Sequence, residues 1–470
     1  MSFWLWTGAI LVAFVAFTFL IKRFKNAQTY YIASIIKTKK GTAIIERLSR
    51  LGRIWEVLAD IGLVMGFGAI AVDFRFGKKC KSKKRTALFA ISVIALSLLF
   101  YFISSPFFAN NPLVGNFHAV FALSFGFMGF SGFAIMILVS QAVDIIPKLI
   151  AGKDACPGIA PVIPGVQIPN VPEQFTPPLY VWIALVVILV VHEFSHGIVL
   201  RRIRQKIKSV GLVLIGFIPI AAFVEPDEGK LMKVEKLKQL RVFGMGSLAN
   251  FFSGLIFYLF FIGVIYLLVV PLASPWYSAI YRQSVSGVKI IDVQEKIEFC
   301  GTEFRSPAAG ILQDGMLLLK VNDENVSNSA KAGKLIMANF YREMELTVKT
   351  ESGAVEVKKI PAHEAAIPSF RVADIPNKDF RAPAEYYLFD VLLNLFSGFF
   401  GWLILLSILV AIVNFLPVVP FDGGRMAILL FAPYLKGLKM SEEDTQKLVA
   451  RFFIWLVGIL IVLNAIPLFL

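Results

Sequence analysis

Four residues of this chain have the types and spacing to do chemistry on a peptide bond. In VVHEFSHGIVL, His192 and His196 lie four apart, with Glu193 between them. On a helix, that spacing projects both side chains from one face, a turn apart. The two imidazoles can therefore chelate one Zn2+ ion. Glu193 can then take a proton from a water that zinc activates, because zinc lowers its water's pKa only to about 7 and peptide cleavage also needs a base and a proton shuttle. Two histidines leave zinc short of a third protein ligand. The candidate is Asp422 in NFLPVVPFDGG, where Pro417 and Pro420 end an apolar helix and Gly423-Gly424 permit a tight turn that presents a carboxylate. Asn414 in the same stretch can hydrogen-bond substrate backbone or orient the site.

The elements that carry these residues are apolar. Of the 470 residues 57% are hydrophobic and only 17% charged, too few charges to cover a soluble protein of this length. Apolar runs of about 20 residues read as spanning helices, since that length crosses a hydrocarbon core of roughly 30 Å. They fall at 3–21, 54–74, 87–106, 117–145, 178–200, 245–270, 390–415 and 452–470. The fold class is a polytopic α-helical membrane protein with seven or eight segments. The run at 3–21 is flanked by Lys22, Arg23 and Lys25 and lacks a small-residue cleavage site, so it reads as an anchor. The His-Glu-His cluster lies inside the 178–200 run. An ionisable residue at membrane depth costs about 2.5–3.5 kcal/mol, which makes such a cluster a functional site by default. The bland alternative is a polar patch that glues helices together.

A net charge of +15 raises the question of a nucleic-acid partner. The basic residues instead cluster beside the apolar runs, at 22–25, 37–40, 78–85, 201–208 and 230–241, as cytoplasmic flanks facing anionic lipid do. The expected partners are thus the lipid bilayer and no nucleic acid. Arg201, Arg202, Arg204, Lys206 and Lys208 place the end of the 178–200 helix, and the active site near it, on the cytoplasmic side of a multi-pass cell-membrane protein. By parity, 146–177 and 275–385 lie outside. The N-terminal third conflicts with this scheme: 22–50 and 75–86 are both basic, yet a spanning 54–74 helix would separate them. Either that segment is re-entrant or interfacial, or one basic loop breaks the rule. Of three cysteines, Cys80 sits in the basic run KKCKSKKR and reads as a free thiol; Cys156 and Cys300, both on the expected outer side, either pair or are unrelated thiols.

The chain divides into an N-terminal transmembrane region (1–150), the first half of a membrane core (178–271), a water-soluble β-rich insert (283–365) and the second half of the core (390–470). The stretch 151–177 is an extended Pro- and Gly-rich loop. The segment 210–228 is apolar but short, broken by Gly216 and Pro219. It reads as a re-entrant hairpin, allowed at membrane depth only where protein or water covers its backbone.

HEFSH in a membrane helix, followed after the insert by Asn-x-x-Pro-x-x-x-x-Asp-Gly (Asn414, Pro417, Asp422, Gly423), resembles the site-2 protease family of intramembrane metalloproteases. The resemblance spans about 178–425 and the helix after it. It implies that His192, His196 and Asp422 bind zinc, that Glu193 activates water, and that the partners are membrane-anchored proteins cut within their transmembrane helices. AAFVEPDE (221–228) is similar to the family's membrane-embedded hairpin, and GMGSLAN (244–250) to its Gly-x-x-x-Asn segment. That likeness puts Asn250 near substrate, although Gly246-Ser247 stands where the family usually has Gly-Pro. FRSPAAGILQDGMLLLKVNDENV in the insert resembles part of a PDZ domain, with Met316 where an Asp is usual. It implies peptide binding, by strand addition to an edge.

Two other readings stand beside this one. Gly129-Phe130-Ser131-Gly132 matches the Gly-x-Ser-Gly signature of rhomboid-type serine proteases, for which Ser131 would need a histidine base. His118 and His363 are not evident partners. The other reading is a catalytically inactive scaffold or chaperone that binds membrane helices.

Overall fold

The computed structural model describes residues 12, 14–23, 26–77, 80–108, 117–171, 175–216, 218–299, 302–363, 369–438 and 440–470. The 3–21 run falls largely outside them; residues 14–21 are helical. Among the described residues, seven helices are long and apolar enough to cross a membrane. Many of their large apolar side chains face outward, Leu255, Ile256, Leu259, Leu388 and Leu392 among them, as a lipid-facing surface requires.

After the strands β1 (Ala27–Tyr30) and β2 (Ala33–Thr38) comes a short helix, α1 (Lys40–Ser49). Helices α2 (Ile54–Phe76), α3 (Ser82–Phe108) and α4 (His118–Ile150) complete the N-terminal region. Two of these do not run straight. Helix α2 breaks at Phe67-Gly68, and α4 at Met128-Gly129. Asp60 and Arg75 are 15 residues apart, a separation of about 22 Å along an unbroken helix, yet Arg75 Nε lies 3.4 Å from Asp60. Phe121 and Phe133 would be about 18 Å apart on a straight helix, but their rings are 5.8 Å apart. Both segments are therefore helical hairpins. The turns pack on each other: a Cβ on Gly68 would meet Gly126 O and Phe125 O at 2.7 Å, and one on Gly129 would meet Gly66 C at 2.6 Å. Both glycines have positive φ, which excludes a side chain twice over. Mutual burial also covers backbone that hydrocarbon could not solvate. Since α2 returns toward the end it left, the basic stretches on either side of it lie together, as a re-entrant segment would place them.

The core begins with α5 (Val181–Arg202), which leads into strands β3 (Ile207–Ile215) and β4 (Ile218–Pro226). The 210–228 segment is thus a β-hairpin. It joins β1 and β2 in an antiparallel sheet of order β1-β2-β3-β4, with Ile36 opposite Leu212 and Val210 opposite Val224. A single helical turn, α6 (Glu228–Leu231), precedes α7 (Lys236–Val264), which continues through a π-helical stretch, Ile265–Ala273, into α8 (Ser274–Ser284).

Next comes the β-rich insert, whose strands are β5 (Val285–Ile291), β6 (Lys296–Phe299), β7 (Thr302–Arg305), β8 (Leu317–Val321) and β9 (Glu324–Asn325). Helix α9 (Ser329–Ala338) and strands β10 (Met344–Lys349), β11 (Val355–Ile360) and β12 (Arg371–Pro376) complete it. Its main sheet has the order β11-β10-β8-β5-β12 over a core that includes Ile290, Leu318, Ala332, Leu346 and Phe370. The last strand lies beyond residue 365, so the compact unit runs to Pro376. Cys156 is disulfide-bonded and Cys80 is a free thiol; Cys300 lies outside the described residues.

Helices α10 (Ala384–Asn414), α11 (Asp422–Phe431) and α12 (Glu442–Ala465) close the core. The insert follows α8 and precedes α10, so it joins α10 at the opposite end from Asn414. Paired charges tie the α2 hairpin to the core. Arg241 of α7 reaches both Asp60 oxygens, at 2.7 and 2.8 Å, and Arg202 of α5 binds Glu56 at 3.0 Å.

Candidate active site

Helix α5 places His192 and His196 one turn apart, near its basic end. Their Nε2 atoms are 3.1 Å from each other, and Asp422 Oδ2 lies 3.2 Å from the first and 3.1 Å from the second. A tetrahedral ion bound at about 2.0–2.1 Å keeps its ligands about 3.3–3.4 Å apart, so this triangle fits one ion with little adjustment. The donor chemistry fits as well. His196 Nδ1 lies 2.7 Å from the carbonyl oxygen of Val242, which can only accept, so the ring proton is on Nδ1 and a lone pair on Nε2 points inward. Asp422 Oδ2 is buried with no hydrogen-bond donor. Lone pairs facing one another in a buried site call for a cation.

Asn250 of α7 is fully buried, with its amide 3.1 Å from His192 Nδ1. Its Oδ1 has no partner. Turning the amide by 180° presents that oxygen to an Nδ1–H, the tautomer that frees His192 Nε2 for a metal. Asn250 is thus placed to orient His192. Asn414 instead donates to Val410 O at 3.0 Å and lines the same cavity.

Asp422 opens α11, after a loop that Phe415 anchors from the core. The two glycines after it are needed for close approach more than for turn geometry. A Cβ on Gly423 would collide with the carbonyls of Phe415 and Leu416, so the loop could not fold against the first turn of α11. Gly246, which the sequence shows only as the first glycine of the Gly-x-x-x-Asn segment, has a packing role at the site. Its missing side chain makes room for both imidazoles: a Cβ there would lie 2.6 Å from the Cε1 atom of each. The signal was present in GMGSLAN, but only the three-dimensional packing of α7 on α5 gives it meaning.

Glu193 lies with its carboxylate within 4.8 Å of the imidazole nitrogens, and its Oε2 accepts the Val224 backbone N–H at 3.0 Å. Val224 belongs to β4, an edge strand. Because its N–H points to Glu193 and away from β3, the unpaired edge of β4 faces the cavity. That cavity, of about 280 Å³, is lined by His192, Glu193, His196, Asp422, Asn414 and Val224. The sheet owes its position to β1 and β2, read from sequence only as part of a basic stretch.

The serine alternative finds no support in the geometry. Ser131 is fully buried and its hydroxyl has no hydrogen-bond partner among the described residues. The His118 ring lies 2.8 Å from Ser104 Oγ and stacks on Tyr101, and His363 is in the insert beside Ser369.

A helical membrane core that converges two histidines, a glutamate and an aspartate on one cavity defines the class of membrane metalloproteases. The family model "Peptidase family M50" matches residues 180–460, and the chain belongs to that family. The uncharacterized protein MJ0971 of Methanocaldococcus jannaschii is 27% identical over 244 residues, covering 51% of this chain. The chain spans about half the length of that relative, 54%.

Proposed function

We propose that the protein is a zinc endopeptidase that cuts membrane-anchored proteins within their transmembrane helices. The observation that carries this reading is the unpaired β4 edge beside the three converging donors, with Glu193 bonded to that edge and within 4.8 Å of the imidazole nitrogens. A helical substrate hides its carbonyls in its own hydrogen bonds. An extended segment added to β4 would trade those bonds for ladder bonds and expose one carbonyl to the site. A zinc ion held by His192, His196 and Asp422 would polarise that carbonyl and lower the pKa of a water to about 7. Glu193 takes the proton of the attacking water and passes it to the leaving nitrogen. Asn250 holds His192 in the required tautomer, and Asn414 is near enough to hydrogen-bond the extended substrate. The complete set of four polar residues favours this reading over an inactive scaffold.

The basic ends of α5 and α7 support an active site nearer the cytoplasm, with the insert outside. There the insert, read as PDZ-like, acts as a filter on substrate outer domains, with β11 or β12 as the edge that takes up peptide.

The test is cleavage of a purified single-span substrate, with the cut mapped by mass spectrometry, before and after chelation and after adding zinc back. The reading expects a cut inside the apolar span, abolished by chelator and restored by zinc. A cut outside the span, or full cleavage in chelator, overturns it.

A further inference from the structure

Among the described residues, none from α2, α3 or α4 lines the catalytic cavity. The helix that carries Asp422 is nevertheless fastened to these three at both ends. The first fastening is Phe415, where the loop into α11 begins. Its ring is fully buried and rests against Gly66 at the turn of the α2 hairpin: a Cβ on Gly66 would lie 2.5 Å from Phe415 Cε1 and 2.6 Å from Cδ1. The Phe130 ring of α4 lies parallel to it, with centroids 6.2 Å apart. Gly66 has little room to retreat, because the α4 turn packs on its backbone; a Cβ on Gly129 would meet Gly66 C at 2.6 Å.

The second fastening is at the far end of α11. The Phe431 ring meets Phe67 of α2 edge to face, with centroids 6.4 Å apart. Tyr434, in the turn after α11, donates its hydroxyl to Asp73 Oδ2 at 2.5 Å. Asp73 is 3% exposed and also accepts from Nε and Nη2 of Arg85 in α3, at 2.6 and 2.5 Å. A carboxylate buried in this way holds its donors, because losing one leaves a buried charge underpaired.

The path from Phe415 to the metal site has no slack. A Cβ on Gly423 would lie 2.3 Å from Phe415 O, and one on Gly424 would lie 2.3 Å from Val418 C. The loop is therefore pressed onto the first turn of α11, and a close-packed interior transmits displacement instead of absorbing it. A shift of the Phe415 ring reaches Asp422, the residue before Gly423. Its carboxylate must be placed closely, since zinc–oxygen bonds are only about 2.0–2.2 Å long.

We propose that the hairpins α2 and α4, with α3 between them, are a positioning device for the metal site: they fix α11 at both ends and so hold Asp422 against His192 and His196. Phe415 is the positioning residue that links the α2 turn to the Asp422 loop. The proposal rests on the reading of His192, His196 and Asp422 as metal ligands.

Metal binding tests it without turnover. Zinc affinity of the full-length protein in detergent is measured by competition with a chromophoric chelator, and the visible spectrum of the cobalt-loaded protein reports the ligand arrangement. Gly66→Ala drives a methyl group about 1 Å too close to the Phe415 ring, against a normal approach of about 3.5–4.0 Å. It should weaken zinc binding by about 10–100-fold, the range for groups that orient metal ligands, and alter the cobalt spectrum. Phe415→Leu removes the ring contacts and should also weaken binding. When the two are combined, the smaller side chain makes room for the methyl group, so the double variant should bind zinc more tightly than Gly66→Ala alone. A contact that serves stability only would lower the unfolding temperature and leave zinc affinity and cobalt spectrum at wild-type values in the folded variants. That result overturns the proposal, as does a double variant no better than Gly66→Ala. Should Gly66→Ala fail to fold, Phe415→Leu decides alone, and wild-type affinity and spectrum in it overturn the proposal. A wild-type protein that binds no zinc would remove the metal centre and the proposal with it, an outcome distinct from wild-type binding that the variants leave unchanged.

Discussion

Replacing Gly246 by alanine is the most exacting probe of the site's packing. The new methyl group would sit 2.6 Å from the Cε1 atoms of His192 and His196 and closer still to His196 Nε2. Carbon atoms normally approach to about 3.5–4.0 Å, so the overlap is about 1 Å on each ring. Helix α7 cannot retreat, because α2 packs behind it: a Cβ on Gly62 would already meet Gly244 O at 2.6 Å. The imidazoles must therefore move. A shift of about 1 Å in a reacting constellation costs on the order of 100-fold in rate, or about 2.7 kcal/mol on the barrier. Overpacking alone would lower stability by only about 1–3 kcal/mol. The assay is kcat/KM on a membrane-anchored substrate, with zinc per chain and thermal unfolding measured on the same sample. Gly263→Ala is the control, on the same helix with nothing within 4 Å of the added methyl; it should be silent. If Gly246→Ala retains full zinc content and full activity, the packing argument is wrong.

Three further outcomes are expected. Asp422→Ala should lose most of its bound zinc, read by metal analysis after dialysis; unchanged content would remove Asp422 from the ligand set. Gly129→Ala meets both a positive φ and the backbone of α2, so it should destabilise by about 3 kcal/mol or more and lower the unfolding temperature in detergent sharply. A neutral result there would contradict the packed hairpin turns. His363 in the insert is buried against Phe340 and Ser369, and burial holds its pKa below the ordinary value of 6.5. The folded insert thus favours the neutral ring, so its stability is full above pH 6.5 and falls as the pH drops through that value toward the lower folded pKa. Hydrogen exchange across 285–376 should quicken on acidification in the wild type, and much less in His363→Gln.

The readable part of the site was the part encoded locally. His192 and His196 need only the period of one helix to meet, and the cost of charge inside an apolar run marks them as functional. Asp422 is a candidate only beside the histidine pair, because a proline-bracketed loop with two glycines reads alone as an ordinary helix end, and the need for Gly423 comes from contact with the Phe415 carbonyl. The span positions followed from apolar length for the same reason. What sequence could not carry was pairing between distant segments. Strands β1 and β2 are four and six residues long, and their identity depends on a partner about 180 residues away in β3. The turns at Gly68 and Gly129 are hidden in runs that stay apolar throughout, so hydropathy reads each as one straight helix. Only the double basic flank around α2 hinted at a reversal. Gly246 has no chemistry of its own, and its role exists only against two imidazoles from another helix.

The central claim is that Glu193 activates water at a metal held by His192, His196 and Asp422. Glu193→Gln keeps the shape of the side chain and removes its basicity while leaving all three proposed ligands in place. Cleavage of a single-span substrate by this variant, measured together with its zinc content, is therefore the most direct measurement. The account predicts zinc content equal to the wild type and cleavage reduced by at least about 100-fold, the lower range for a lost general base. Cleavage at the wild-type rate with zinc in place would contradict it.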